Sequence, residues 1–230
     1  MSKNYQGILG PQIGKIGPVV GYRWKGRDVY RGYVRYAKNP RTADQILARA
    51  KFAMLMALSR ALSTAVNRGF GYVAQYMQMF PRNVFSKLNA ANISGATPQA
   101  LAVSFADLQI SDGPLTPVSG GTVLIQDGNL KYTAEDGGQY GCFDDLLDRV
   151  MCIAYNPSKG YSVMNGATRE NAQNTGITLA IPDAWNGDKV QIYAFAYTTV
   201  SEPTRYEDYD GTVYPGMASQ TYYVGEKTIE

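Results

Sequence analysis

The chain has 230 residues, enough to bury a full core in one or two domains. It has no histidine, which removes the commonest general base near neutral pH, the Ser-His and Cys-His nucleophile pairs, and most zinc and iron sites. Its two cysteines do not indicate a disulfide framework, so we expect reduced thiols in a cytosolic setting.

The formal net charge of +3 conceals a strong asymmetry between the two parts of the chain. Residues 1–90 hold 15 Lys or Arg and two acidic residues, a net charge of +13. Residues 91–230 hold seven Lys or Arg and 17 acidic residues, a net charge of −10. This asymmetry suggests either a polyanionic partner for the basic part or subunits that dock basic part to acidic part.

The first 38 residues are rich in glycine and lack the apolar core of a secretion signal. Their glycine pattern resembles a phosphate-binding loop, but the Gly-Lys-Ser/Thr ending of a P-loop is missing. No stretch of the chain approaches the ~18 apolar residues of a membrane span. We therefore expect no cofactor and a cytoplasmic or virion location, without a membrane partner.

A basic β-hairpin is predicted next, with strands at 19–25 and 29–36 around a turn at Gly26-Arg27-Asp28. Arginine and lysine alternate there with tyrosine and tryptophan, as on surfaces that bind phosphates and stack bases. The simpler interpretation is a solvated basic ribbon whose rings cover a helix. The candidate contacts to nucleic acid or to a partner protein are Arg23, Lys25, Arg27, Arg31, Arg35, Lys38 and Arg41.

A long helix is predicted over residues 42–68. Pro40 disfavours helical geometry at the preceding residue, and Thr42 and Gln45 have the spacing of a capping box. The residues that follow are good helix formers, and Gly69 provides a stop.

The centre of this helix, Phe52–Leu58, carries no polar side chain on any face. A helix that is apolar all round is buried on all sides, either in an ordinary core or between subunits. The candidate assembly residues are Phe52, Met54, Leu55, Met56, Leu58 and Leu62.

After a short helix from Pro81 to about Ala91, the pattern changes to short strands separated by turns, which is typical of a β-sandwich. The clearest strands cover 122–126, 129–134, 149–156, 160–165, 176–182 and 189–199, with a last candidate at 222–229. Residues 189–199 are apolar on both alternating faces, which predicts a central strand, and Trp185 is expected to fill one end of the sandwich.

The predicted fold class is α+β. A basic N-terminal module with a β-hairpin, a long helix and a short helix covers residues 1–117. An all-β sandwich of the immunoglobulin or fibronectin type III kind covers residues 118–230. Acidic clusters near 144–148 and 207–210 match no calcium-loop spacing and are interpreted as solvated turns.

The chain also resembles a family of uncharacterised proteins encoded mostly in Bacteroidota genomes, including prophage and phage regions. The similarity runs from Gly7 to about Val200. It implies the same architecture, a basic module with a long helix followed by a fibronectin-type-III-like sandwich, and it implies no activity or catalytic residue. The matching segments, in chain order, are GILGPQIGKIGPVVGYRWKGRDVYR, NPRT with a helix bearing Gln45, Arg49 and Phe52, ISDGPL, IAYNPSKGYSVMNGATR and LAIPDAWNGDKVQIYAFA.

We therefore expect a non-enzymatic structural protein, a phage or prophage virion component that self-associates or docks to other subunits. The alternative is a nucleic-acid-binding protein that uses the basic hairpin. A third hypothesis is a carbohydrate- or protein-binding sandwich that uses its tyrosines.

Overall fold

The computed structural model describes residues 3–4, 11–24, 26–36, 41–126, 128–135, 148–198 and 217–229. The chain forms two compact units, Met1–Gln45 and Ile46–Glu230. The sequence-based boundary near residue 117 lies inside the second of these units.

The first unit is a four-stranded antiparallel sheet in sequential order. Its strands are β1 (Lys3–Asn4), β2 (Gln12–Ile16), β3 (Val19–Trp24) and β4 (Arg27–Gly32). The predicted hairpin is confirmed as β3 and β4, with Trp24 paired to Arg27 across the turn. Arg27 and Asp28 belong to β4 and not to the turn as predicted, and β4 ends at Gly32 and not at residue 36. Gly26 has φ +79° in that turn, a backbone conformation that residues with a Cβ rarely adopt.

The predicted long helix forms as two segments, α1 (Ala43–Ala61) and α2 (Ser63–Gly69). Leu62 departs from helical geometry with ψ +20°, although its backbone still bonds to Leu58 and Val66. One half of the predicted capping box is present, because Thr42 Oγ1 accepts from the Gln45 N–H at 3.4 Å. The helical segments α3 (Gly71–Tyr76) and α4 (Pro81–Leu88) follow.

The remaining elements of the second unit are mostly strands. Two-residue strands β5 (Ile93–Ser94) and β6 (Ala102–Val103) pair with each other. The helix α5 (Arg169–Asn174) is capped by Thr168, whose side chain accepts a hydrogen bond from the Asn171 N–H. The other strands are β7 (Thr122–Gln126), β8 (Asn129–Thr133), β9 (Arg149–Asn156), β10 (Tyr161–Thr168), β11 (Ile177–Ala180), β12 (Lys189–Tyr197) and β13 (Tyr222–Thr228).

These strands form two antiparallel sheets, one of four strands in the order β10-β9-β12-β13 and one of three in the order β11-β8-β7. The two central strands of the four-stranded sheet, β9 and β12, are buried on both faces. Met151, Tyr193 and Phe195 pack into a core shared with α1–α4. Cys152 and Ala194, on the opposite face, pack into a second core shared with the three-stranded sheet.

The second unit is therefore layered as helices, four-stranded sheet and three-stranded sheet. The fold class α+β is confirmed, and β12 is the central strand that its sequence predicts. Trp185 is fully buried in the second core, with its ring centre 5.0 Å from that of Tyr161. None of the described helices is long and apolar enough to span a membrane.

Burial in these cores raises the pKa of the Tyr193 and Tyr132 hydroxyls and of the Cys152 thiol. The unfolded chain releases these protons above about pH 9–10, whereas the folded chain retains them. We therefore expect these three groups to make a contribution to the free energy of unfolding that is constant below that range and falls as pH rises through it. Urea unfolding at several alkaline pH values checks this.

The variant Tyr193→Phe is the matched control for that pH dependence. It removes one raised pKa and also the hydrogen bond from the hydroxyl to the Phe105 carbonyl at 2.9 Å. We expect it to lose about 1 kcal/mol at neutral pH and to show a shallower alkaline fall. If the free energy of unfolding fell equally steeply with pH in both proteins, Tyr193 would not contribute to the fall.

Candidate functional site

One face of the N-terminal sheet combines cationic and aromatic side chains. Directly paired residues share a face, so the register puts Lys15, Val20 and Arg31 in one row. The next rows hold Tyr22 beside Val29 and Trp24 beside Arg27. We call this the basic-aromatic face, defined by Lys15, Tyr22, Trp24, Arg27 and Arg31, all of them exposed.

Lys15 extends this face toward the end of β4, since its Nζ lies 3.7 Å from the centre of the Tyr33 ring. A cation held over an aromatic face is a stabilising contact. Lys15 was missing from the predicted contact residues, because the pairing of β2 with β3 carries no turn signal as clear as that of the hairpin. The sequence does contain a signal for this pairing, the turn at Gly17-Pro18. Lys15 lies two residues before that turn, on the strand that the turn connects to β3.

The predicted cations do not all share this face. Arg23 lies on the opposite face, where its Nε is 4.0 Å from a carboxylate oxygen of Asp28. Arg35 lies beyond the end of β4, and Arg41 is exposed just before α1. Lys25 and Lys38 lie outside the described residues.

The N-terminal sheet has no fully buried apolar side chain among residues 11–24, 26–36 and 41–45. Tyr36 is 89% exposed, and the other exposed members are Ile16, Val19, Tyr22, Trp24, Tyr30, Tyr33 and Val34. Isolated exposed apolar residues are normal, but contiguous exposed apolar surface marks an interaction site.

The candidate assembly residues on α1 and at the start of α2 divide into three groups. Leu55, Leu58 and Leu62 are buried in the chain's own helix-facing core. Met54 and Met56 are half-buried, and Phe52 is 58% exposed. Any partner surface on this helix therefore includes Phe52 and excludes the three leucines.

Phe52 borders a groove of about 540 Å³ between α1 and α4. Leu55 and Met79 form part of its apolar lining, and Lys51 and Lys87 supply positive charge. We call this the α1–α4 groove. The described residues that line it include no acidic side chain.

The described residues contain no group of histidine, cysteine and carboxylate side chains able to hold a metal ion. Cys152 is fully buried, as its apolar strand predicts. Most of the acidic residues near 144–148 and all of those at 207–210 lie outside the described residues, while Asp148 is buried.

Residues 11–219 match the model of a family described as a family of unknown function, DUF6266. No curated protein and no solved structure shows significant similarity to the chain.

Proposed function

The chain belongs to the DUF6266 family of unknown function, and we propose that it is a non-enzymatic structural protein that self-associates or docks to partner subunits. The observation that carries this proposal is the exposure of large apolar side chains on the described part of the N-terminal sheet. Sheets gain independent stability by burying a hydrophobic face. Here the large apolar side chains from Ile16 to Tyr36 stay exposed, so a second protein surface is the natural cover.

The α1–α4 groove supports the same proposal. Phe52 projects a large exposed ring beside an apolar depression, and aromatic residues next to apolar pockets are typical anchors of protein interfaces. The lysines at the groove edge and the acidic C-terminal part of the chain, with a net charge of −10 over residues 91–230, are electrostatically complementary. A second copy of the chain carries the same net negative charge over these residues.

We further propose that the assembly is a phage or prophage particle, and that the two stacked sheets form an immunoglobulin- or fibronectin-type-III-like sandwich within it. The support is the resemblance of the sequence to a family that is encoded mostly in Bacteroidota genomes, including prophage and phage regions. Identification of the neighbouring genes tests this proposal, because virion genes on both sides are the expected result.

Introducing a charge at the groove is expected to weaken self-association. Phe52→Asp places a carboxylate at the apolar edge of the α1–α4 groove, and truncating an aromatic anchor costs about 2 kcal/mol or more. We expect a shift toward smaller mass at equal concentration, measured by size-exclusion chromatography with light scattering.

Tyr76→Asp is the matched control, because Tyr76 is 79% exposed on α3 and does not line the groove. Its mass distribution should equal that of the unmodified chain. A clean monomer of the unmodified chain at high concentration and moderate salt would contradict self-association.

The basic-aromatic face favours a second candidate function, binding of single-stranded nucleic acid. Proteins that bind single strands without sequence preference combine phosphate-binding cations with rings on which bases stack. Lys15, Arg27 and Arg31 supply the cations here, and Tyr22 and Trp24 supply the rings. This function is compatible with assembly around a nucleic acid.

A further inference from the structure

Two arginines converge on a cleft in the second unit, away from the α1–α4 groove. The cleft has a volume of about 390 Å³ and lies between α2 and the strands β9, β10 and β12. Arg68 comes from α2, and Arg149 is the first residue of β9. Thr64 and Tyr197 add hydroxyl groups, and Met151 and Met164 form an apolar wall. We call this the arginine cleft.

The arginine cleft exists because the helices cover only part of the sheet. Arg149 pairs with Tyr197 across β9 and β12, and alternation places both on the same face as Met151, the face that packs against the helices. The adjacent strand contributes Gly166. A Cβ at Gly166 would lie 3.1 Å from the Tyr197 hydroxyl, so glycine permits this close approach.

Both guanidinium groups are held in place by neutral partners. Arg68 Nη1 donates to the Tyr197 hydroxyl at 2.9 Å, and Arg149 Nη2 donates to the Gly166 carbonyl at 3.1 Å. A guanidinium has five N–H donors, so each keeps most of its donors for another group. The Nε of Arg149 is buried and has no hydrogen-bond partner. Leaving a buried donor unsatisfied is destabilising, so a hydrogen-bond acceptor in the cleft is favoured.

The positive charge in the cleft is uncompensated within the described part of the chain. No acidic side chain lines the cleft, and neither arginine takes part in an ion pair there. Arg149 is half-buried, and a half-buried charge is normally paired. Planar guanidinium groups bind carboxylate and phosphate oxygens through two parallel hydrogen bonds.

We propose that the arginine cleft binds a small molecule through an oxyanion group, a phosphate or a carboxylate. Arg68 and Arg149 hold the anionic group, with the Thr64 hydroxyl as a further donor. The volume exceeds that of the anion alone, and the uncharged remainder of the ligand packs against Met151 and Met164. This site is distinct from the α1–α4 groove, since the two share no lining residue.

The test is titration of the full chain with inorganic phosphate and, separately, with succinate, at constant ionic strength set by chloride. Two-dimensional NMR or calorimetry measures binding. We expect saturable binding of at least one anion, and the stronger of the two identifies a phosphate or a carboxylate as the preferred group. Failure of both to saturate, or shifts equal to those caused by chloride, would overturn the proposal.

Two variants distinguish the cleft from general surface charge. Arg68→Gln removes one guanidinium at an exposed position, and Arg149→Lys keeps the charge but loses the forked donors. Each should weaken binding about tenfold or more. Arg60→Gln, exposed on α1 and outside the cleft, should leave the affinity unchanged.

The Arg68→Gln result decides the proposal even if Arg149→Lys does not fold, because Arg68 is not in the core. Equal affinity of Arg68→Gln and the unmodified chain would overturn the proposal. The oligomeric state of both proteins, measured in parallel, should stay the same, so a failure of the assembly proposal is distinguishable from a failure here.

Discussion

Replacing Leu62 by alanine is expected to lower the free energy of unfolding by about 2–5 kcal/mol. Leu62 lies in the break between α1 and α2 and is fully buried in the helix-facing core. The backbone bonds from Leu62 N to Leu58 O and from Val66 N to Leu62 O hold its position, so the surroundings cannot easily close around the missing side chain. Urea or thermal unfolding followed by circular dichroism measures the loss.

The matched control is Phe52→Ala, ten residues earlier in the same apolar stretch. Phe52 is 58% exposed, and we expect its truncation to change the free energy of unfolding by no more than about 0.5 kcal/mol. The comparison distinguishes a residue that stabilises the core, Leu62, from a residue of the proposed interface, Phe52. Equal destabilisation by both would mean that Phe52 also belongs to a core, as it would inside a stable oligomer.

Neutralising the basic-aromatic face is expected to weaken nucleic-acid binding strongly. The triple variant Lys15→Gln, Arg27→Gln and Arg31→Gln removes the three cations that the register places beside Tyr22 and Trp24. We expect the affinity for a single-stranded oligonucleotide at low salt to fall more than about a hundredfold. The slope of log affinity against log salt should become shallower by about 2. Fluorescence anisotropy across a salt series measures both quantities.

A charge-matched control removes the same net charge elsewhere, by Arg23→Gln, Arg60→Gln and Lys227→Gln. Arg23 lies on the opposite face of the sheet, and Arg60 and Lys227 are exposed in the second unit. This control should retain most of the affinity and of the salt slope. In a third protein, Trp24→Ala should weaken binding by about 1–3 kcal/mol with an unchanged salt slope, because stacking releases no counterions. Equal losses for the two triple variants would contradict a specific face.

Local patterns were sufficient to predict most strands of the second unit. The strand β9 has the predicted bounds because residues 150–155 are apolar or aromatic and a turn follows at 157–160. The predicted central strand is confirmed because Ile192 and Ala194 face one core and Tyr193 and Phe195 face the other. The hairpin of β3 and β4 was predicted from its turn residues.

Long-range packing was not accessible from the sequence. The alternation of residues along β9 and β12 shows that the face with Met151 and Phe195 is apolar. It does not show whether a helix or another sheet covers that face, so the helices were assigned to a separate module. The break at Leu62 directly precedes Ser63 and Thr64, which are weaker helix formers, but the helical pattern continues through them and predicted one helix. The arginine cleft joins residues from α2, β9, β10 and β12, and only the strand register brings Arg149 next to Tyr197.

The burial of β9 and β12 on both faces has a practical consequence for dividing the chain into fragments. A fragment that begins near residue 118 would lose α1–α4 and expose Met151, Ile153, Tyr193 and Phe195 to water. Such a strip of aromatic and aliphatic surface on a β-sheet promotes aggregation. Soluble expression should therefore require residues 46–229 together, and a shorter C-terminal piece should accumulate in inclusion bodies.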